Sequence, residues 1–500
     1  MKKELDDMTR HFLGTAAIAA LMSTAAYAGE GNDATLDQIG AGNSALIEQI
    51  SDNNQAGGPR GLFQDGDNNE MTVEQSGSIG GNRLATANRN NAQYGQNGDN
   101  NVAEIEQSGN NNTVLELFQN APDTGAPADT NVLSLTQSSD GNLIDYVLQT
   151  FSGASPVGAN DMSIEQSNGD DNRIFNASQQ GNGNTMDVEM TGTSNFLRVS
   201  KQAGVANSST VIISGDENGF DSSAQYNIRQ FPLGGAYAGT KTSVPNAGGR
   251  LPLAPSSVQQ NGTGNGTYVE LQGNRTAFGV SQNGNGNDAL GIVIRGDDNA
   301  FSSDQYGDGN TIALTTVTGM GNSIGFAQEG DDNLASADVA GDDNRVRLTQ
   351  FGDRNDTTLW VGTSDNTATL DVIGDDNRLE AQQRFGGSNV MTVNVTGDNN
   401  NNSGALFTGA ALDARNAANG ATGLTFGRGR LWQHGANNDL TLTVSSSDNL
   451  FATLQQGDNN TINGTIGGGD GNKAAVAQLG SDNTATFSQM GSGNNAGIIQ

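Results

Sequence analysis

The sequence predicts an all-β fold: a β-solenoid of stacked strand–turn–strand–turn coils with extruded loops, each coil about 22 residues long and made of two 11-residue units. Three observations predict it. The chain repeats every 11 residues, each unit alternates polar and apolar positions with a period of two, and Pro is kept out of the repeating stretches. A period of two over seven residues gives a strand with one buried face, whereas a helix would scatter the same residues around its circumference.

At the N-terminus, Phe12 to Met22 (FLGTAAIAALM) is an apolar stretch too short to span a bilayer, followed by Ala26-Tyr27-Ala28, which reads as a cleavage site. Residues 1–28 are therefore expected to be a signal peptide, with Met1 or Met8 as the start, and 29–500 the exported repeat region. No later segment is apolar enough to cross a membrane as a helix.

The repeat opens as Asn32-x-Ala34-x3-Gln38-x-Gly40-x2-Asn43-x-Ala45-x3-Gln49. It returns as Gln96-x-Gly98-x2-Asn101-x-Ala103-x3-Gln107. An unbroken array runs through Gly296, Gly307, Gly319, Gly330, Gly341 and Gly352, spaced by 11, 12, 11, 11 and 11 residues. It closes as Asn472-x-Ala474-x3-Gln478-x-Gly480-x2-Asn483-x-Ala485-x3-Gln489-x-Gly491-x2-Asn494-x-Ala496-x3-Gln500. Within one unit, Asn344, Val346, Leu348 and Gln350 point one way, and Arg345, Arg347 and Thr349 the other. The Asn and Gln at the strand ends (Asn32, Gln38, Asn43, Gln49, Asn101, Gln107, Asn344, Gln350, Asn472, Gln478, Asn483, Gln489, Asn494 and Gln500) are expected to face inward. There they would stack over their own kind in columns whose amides donate and accept. Gly40, Gly98, Gly307, Gly330, Gly341, Gly352, Gly480 and Gly491 are expected at the turns, because Gly tolerates positive φ.

Pro59, Pro122, Pro127, Pro156, Pro232, Pro245, Pro252 and Pro255 fall where the period breaks, near 56–63, 120–130, 150–159 and 231–257. This is the pattern of strands paired on both sides, which cannot spare an N–H. A fifth break, 401–432, lacks Pro but is rich in Gly, Ala and Asn. All five are read as loops extruded from coil corners.

Composition narrows the chemistry. The 500 residues hold no Cys and two His, so thiolate chemistry is excluded and His-based catalysis or a multi-His metal site nearly so. The net charge of −32 argues against binding nucleic acid. No carboxylate sits in a recognisable constellation with a base or nucleophile, so no enzymatic activity and no catalytic residue is expected. Acidic columns are expected where turns stack, such as Asp331, Asp332 and Asp353 on one edge and Asp342 and Asp343 on the other. Calcium could fill them as in a nonapeptide β-roll, but the tandem nonapeptide is absent, and no cofactor is assigned. Trp360, Trp432, Arg345 and Arg347 are read as scattered outward residues.

The motif N-x-A-x3-Q-x-G-x2-N-x-A-x3-Q resembles the curlin repeat of curli subunits, most strongly over 32–56, 96–107 and 472–500. The chain departs from the short curli subunits in its length and its insertions. The resemblance implies a secreted fibre subunit of the cell surface or biofilm matrix, exported through a dedicated outer-membrane channel and served by a nucleator. Independently, a repeat that runs in phase from Asn32 to Gln500 is expected to leave both coil ends open to further copies of itself. The alternative is a monomeric, calcium-stiffened β-solenoid adhesin.

Overall fold

The computed structural model describes residues 30–57, 61–77, 81–84, 95–121, 131–151, 158, 160–219, 256–313, 315–402 and 404–500. The expected signal peptide lies outside these residues. So do residues 58–60 and most of the breaks near 120–130, 150–159 and 231–257, together with all eight Pro. The chain is an all-β solenoid that divides after Ser208 into two compact units.

In the first unit, successive strands of one sheet are Ser44–Gln49, Glu70–Gln75, Val102–Gln107, Val132–Gln137, Asp161–Ser167 and Thr185–Thr191. They pair in parallel, with Ser44 opposite Glu70, then Val102, Val132, Asp161 and Thr185. All these steps are longer than 22 residues: the breaks at 56–63, 120–130 and 150–159 lie within three of them, whereas the steps from Glu70 to Val102 and from Asp161 to Thr185 contain none of the expected breaks. The other sheet of this unit holds Thr113–Asn120, Leu143–Thr150 and Ala177–Asn182, again parallel.

The second unit follows the beat closely. Along one sheet Ser323 pairs with Arg345, Arg345 with Thr367, and Thr367 with Val390. Along the other, Leu334 pairs with Asp356 and Asp356 with Arg378. Strands alternate between the sheets, so neighbours within a sheet are two units apart in sequence. Parallel pairing needs a crossover, and here the crossover is the intervening strand of the facing sheet with its two turns.

Between the sheets lie the inward positions. Val346, Leu348, Ala368, Leu370, Met391 and Val393 are fully buried. Phe301 and Phe326 stack at 5.9 Å between ring centroids, tilted by 47°. The core is one side chain deep from each sheet, and Ala, Val, Leu, Ile, Met and Phe fill it.

Turns set the strand length. In Gly330-Asp331-Asp332-Asn333, Gly330 has φ of 112° and Asp332 has φ of 56°. A Cβ at Gly330 would land on the carbonyl oxygen of Gly352, 2.7 Å from its carbonyl carbon. Glycine is required there by the neighbouring coil as much as by the local dihedral.

The break at 401–432 departs from the expected loop. It carries the helix Gly409–Thr422. Its buried face is Ala411, Ala414 and Ala418, which with Phe407 and Phe426 pack on Trp432, Leu450, Ala452, Leu454, Ala475 and Ala477. These strand residues point outward, away from the core of the solenoid. A Cβ on Gly497, also outward, would meet the Cβ of Ala414 at 3.0 Å. A helix that buries only alanine needs small residues on the opposing sheet, and those are present. Among the described residues no helix is long and apolar enough to cross a membrane.

Candidate functional site

Two kinds of side-chain column run through the stacked coils, with opposite hydrogen-bond polarity. In the Asn columns, the later coil donates to the earlier one. Asn344 donates its backbone N–H (3.1 Å) and its Nδ2 (3.0 Å) to Asn322 Oδ1. Asn366 does the same to Asn344 Oδ1, at 2.9 and 3.1 Å. Asn472 donates to Asn449, Asn494 to Asn472, and Asn483 to Asn460 in the same manner. In the first unit Asn32, Asn43 and Asn69 accept from the backbones of Asn54, Asn69 and Asn101. The side chain also ties the turn, as where Asn333 Nδ2 donates to the Gly352 carbonyl at 2.6 Å. An Asn at this place therefore satisfies a backbone N–H that the strand ladder does not reach.

In the Gln columns the earlier coil donates to the later. Gln38 donates to Gln64 Oε1 (2.6 Å), Gln49 to Gln75 (2.8 Å), Gln107 to Gln137 (2.8 Å) and Gln478 to Gln500 (2.9 Å). The same Nε2 reaches across to the facing sheet, so that Gln478 also donates to the Thr461 carbonyl at 3.0 Å. Each Gln thus couples two coils and two sheets. Asn101, Gln107, Asn344, Gln350, Asn472 and Gln478 are wholly buried. Asn32, Gln38, Asn43, Gln49, Asn483 and Asn494 are half-buried, and Gln500 is exposed.

The Gln columns of the second unit change sheets. On one sheet the position holds Gln260, Gln282, Gln305, Gln328 and Gln350, then Val372, Val395, Val444 and Ile466 before Gln489. On the other it holds Leu271, Ile294, Val317, Val339 and Val361, then Gln383, Gln433, Gln455 and Gln478. At the end of its column Gln350 turns to Thr357 Oγ1 at 3.0 Å. At the starts of theirs, Gln383 Oε1 and Gln489 Oε1 are buried without a partner. Both orphans follow from an aliphatic residue, Val361 or Ile466, standing where the donor would be.

The turn glycines Gly40, Gly98, Gly307, Gly330, Gly341, Gly352, Gly480 and Gly491 all have φ between 83° and 117°. Aspartates that follow such glycines form the acidic columns expected from the sequence, and each also accepts a backbone N–H of the preceding coil, a role the sequence did not indicate. Asp331 Oδ1 accepts the backbone N–H of Asp308 (2.8 Å), Asp353 that of Asp331 (2.9 Å), Asp375 that of Asp353 (2.9 Å) and Asp398 that of Asp375 (2.9 Å). On the opposite edge Asp342 accepts from Met320 at 2.8 Å. One residue further, Arg354 pairs with Asp376 at 2.8 Å and holds its carboxyl below the usual carboxylate range. Asp331, Asp342, Asp353, Asp375 and Asp398 thus each hold a backbone amide, and Asp376 an arginine. Among the described residues no group of three or more His, Asp or Glu converges as a metal site would require.

The outward aromatics are not scattered. Arg384 lies over the ring of Trp360 at 3.4 Å and over that of Phe385 at 5.0 Å. Phe385 meets His434 edge-on at 5.2 Å, His434 stacks on Trp432 at 5.6 Å, and Arg430 lies over Trp432 at 5.0 Å. Trp432 is 6 % exposed and His434 7 %, which corrects the reading of Trp432 as a surface residue. Burial and the charge of Arg384 push the His434 pKa down to about 4, so the ring is neutral at pH 7. Arg347 pairs with Asp371 at 3.0 Å, while Arg345 stays exposed.

The model of the curlin associated repeat matches residues 319–352 and 341–371. No curated protein matches the chain.

Proposed function

We propose, for a chain whose residues 319–371 match the curlin associated repeat, that it is a secreted structural subunit which assembles with its own copies into curli-like amyloid fibres. The observation that supports this reading is the chemistry of the coil faces. Along each unbroken column, a coil meets its backbone and side-chain amide needs through the coil before and the coil after it, with like residues over like. A coil face without a neighbour presents a row of N–H and C=O groups and two columns of amides, and another copy of the same repeat is the surface that matches it. Templated strand addition needs no catalytic group, and the family is structural. Export through an outer-membrane channel, a nucleating partner and a place in the biofilm matrix belong to the same proposal. The acidic turns, with a net charge of −32, would keep the chain apart until it is outside. No specific observation favours the calcium-stiffened adhesin, since the turn carboxylates already hold N–H groups.

The test is assembly of the purified chain lacking residues 1–28. At micromolar concentration it should become thioflavin-positive after a lag that preformed seeds remove, and negative-stain microscopy should show fibres. A chain that stays monomeric with and without seeds, or that does so only in calcium, would overturn the proposal.

A further inference from the structure

The acidic edge of the second unit has a gap. Along the edge that carries Gly341-Asp342-Asp343, the next three turns are Gly362-Thr363-Ser364-Asp365, Phe385-Gly386-Gly387-Ser388 and Gly435-Ala436-Asn437. They hold one carboxylate among them, and Asp458 resumes the acidic pattern at the following turn. The Arg384–Phe385 strip lies in this gap. Arg384 has no carboxylate partner among the described residues, in a chain whose other arginines often have one. Phe385 is 73 % exposed and sits at φ of 66°, a conformation that a bulky side chain adopts only under constraint. Backbone strain of this kind collects at functional sites. Two polar atoms of the same strip, Trp432 Nε1 and His434 Nε2, are buried without a partner.

We propose that the strip Trp360–Arg384–Phe385, with Trp432 and His434 beneath it, binds an acidic glycan through a uronic-acid residue. A carboxylate would pair with the guanidinium of Arg384, which is already held flat by the Trp360 ring. The adjoining sugar face would lie on the exposed ring of Phe385, whose electron-rich face attracts polarised C–H groups. A single free guanidinium suits isolated carboxylates spaced by sugar rings. A dense run of phosphates would meet one cation and the repulsion of the flanking Asp342, Asp343 and Asp458 turns. The site stands on the sheet edge of one chain and does not depend on assembly.

The protein supplies its own probe, because Trp360 and Trp432 are its two tryptophans. Freshly prepared chain without residues 1–28 would be titrated with oligo-uronate of four to six rings, neutral cello-oligosaccharide of equal length, and short polyphosphate, reading tryptophan emission. The oligo-uronate should give a saturable change, with neutral sugar and polyphosphate at least about tenfold weaker. Arg384→Gln should weaken oligo-uronate binding about tenfold, and so should Phe385→Gly, which suits the left-handed φ and keeps the turn folded. Equal binding of neutral sugar would overturn the role of the carboxylate, and equal binding of polyphosphate that of the ring. A flat emission for all three, or variants binding like the parent, would overturn the site. These outcomes are read on monomer, so they stand apart from whether fibres form.

Discussion

Replacing Asn344 by Ala tests the column chemistry at a single buried rung. Its Oδ1 accepts the backbone N–H of Asn366 at 2.9 Å and its Nδ2 at 3.1 Å. Its own Nδ2 donates to Asn322 Oδ1 at 3.0 Å. On truncation, Asn366 Nδ2 keeps the Thr363 carbonyl at 2.8 Å, and Asn322 Oδ1 keeps the backbone N–H of residue 344 at 3.1 Å. The backbone N–H of Asn366 loses its acceptor. One orphaned buried N–H costs about 1–3 kcal/mol, and the other lost bonds add about 1 kcal/mol. The expected loss is therefore about 3 kcal/mol, or roughly a hundredfold in local opening. A repeat protein need not unfold in one step, so the suitable assay is hydrogen exchange of peptides covering 344–351 and 366–373. The outward Thr369→Ala serves as control and should change protection by less than about 0.5 kcal/mol. If N344A leaves protection within that same margin, the columns do not stabilise the stack as argued.

Other outcomes follow from the turns, the helix and the buried imidazole. Gly330→Ala should cost more than about 3 kcal/mol, because strain and a clash with Gly352 combine. Gly286→Ala, at φ of 62° with open space around it, should cost about 1 kcal/mol; similar urea midpoints for the two would refute the stacking argument. Ala414→Pro should break the helix at a cost of about 3 kcal/mol and raise exchange of Asn495–Ile499, whereas a loop at 401–432 would have tolerated it. His434 has a lowered folded pKa, so its contribution to stability is present above the unfolded value near 6.5 and is lost as pH falls toward about 4. The Tm of the parent should therefore fall further between pH 6.5 and 4 than that of His434→Phe, and parallel profiles would count against the buried neutral ring.

Much of this fold can be read from the residues because one short rule repeats. The alternation of Asn344, Val346, Leu348 and Gln350 carries strand, face and register at once. The helix at 409–422 could not be read that way. It buries alanines in place of large apolar residues, its N-cap Thr408 makes no side-chain capping bond, and its sequence contains Gly and Asn. The signal lay elsewhere, in outward Ala452, Ala475, Ala477 and Gly497, where other strands carry Thr, Ser or charged residues. The Asp columns were legible as stacked charges, but their role was not: their acceptors serve backbone groups two units away, which only the stacked geometry brings together. The aromatic strip draws on separate strands, Asp356–Val361, Arg378–Arg384 and Arg430–His434, the last beyond the long insertion, so spacing along the chain does not reveal it.

The exchange of glutamine between sheets gives this otherwise monotonous stack a landmark. Within a run of identical rungs, sliding one sheet by a whole coil changes little, and a repetitive chain is exposed to such frame errors. Where Gln350 gives way to Val372 and Val361 to Gln383, a slipped pairing would set a further amide against an aliphatic side chain. Each such mismatch strands a polar atom at about 1–3 kcal/mol, the penalty already visible once at Gln383 Oε1. The switch works as a keyed joint: it tells the polypeptide where it is along its own length.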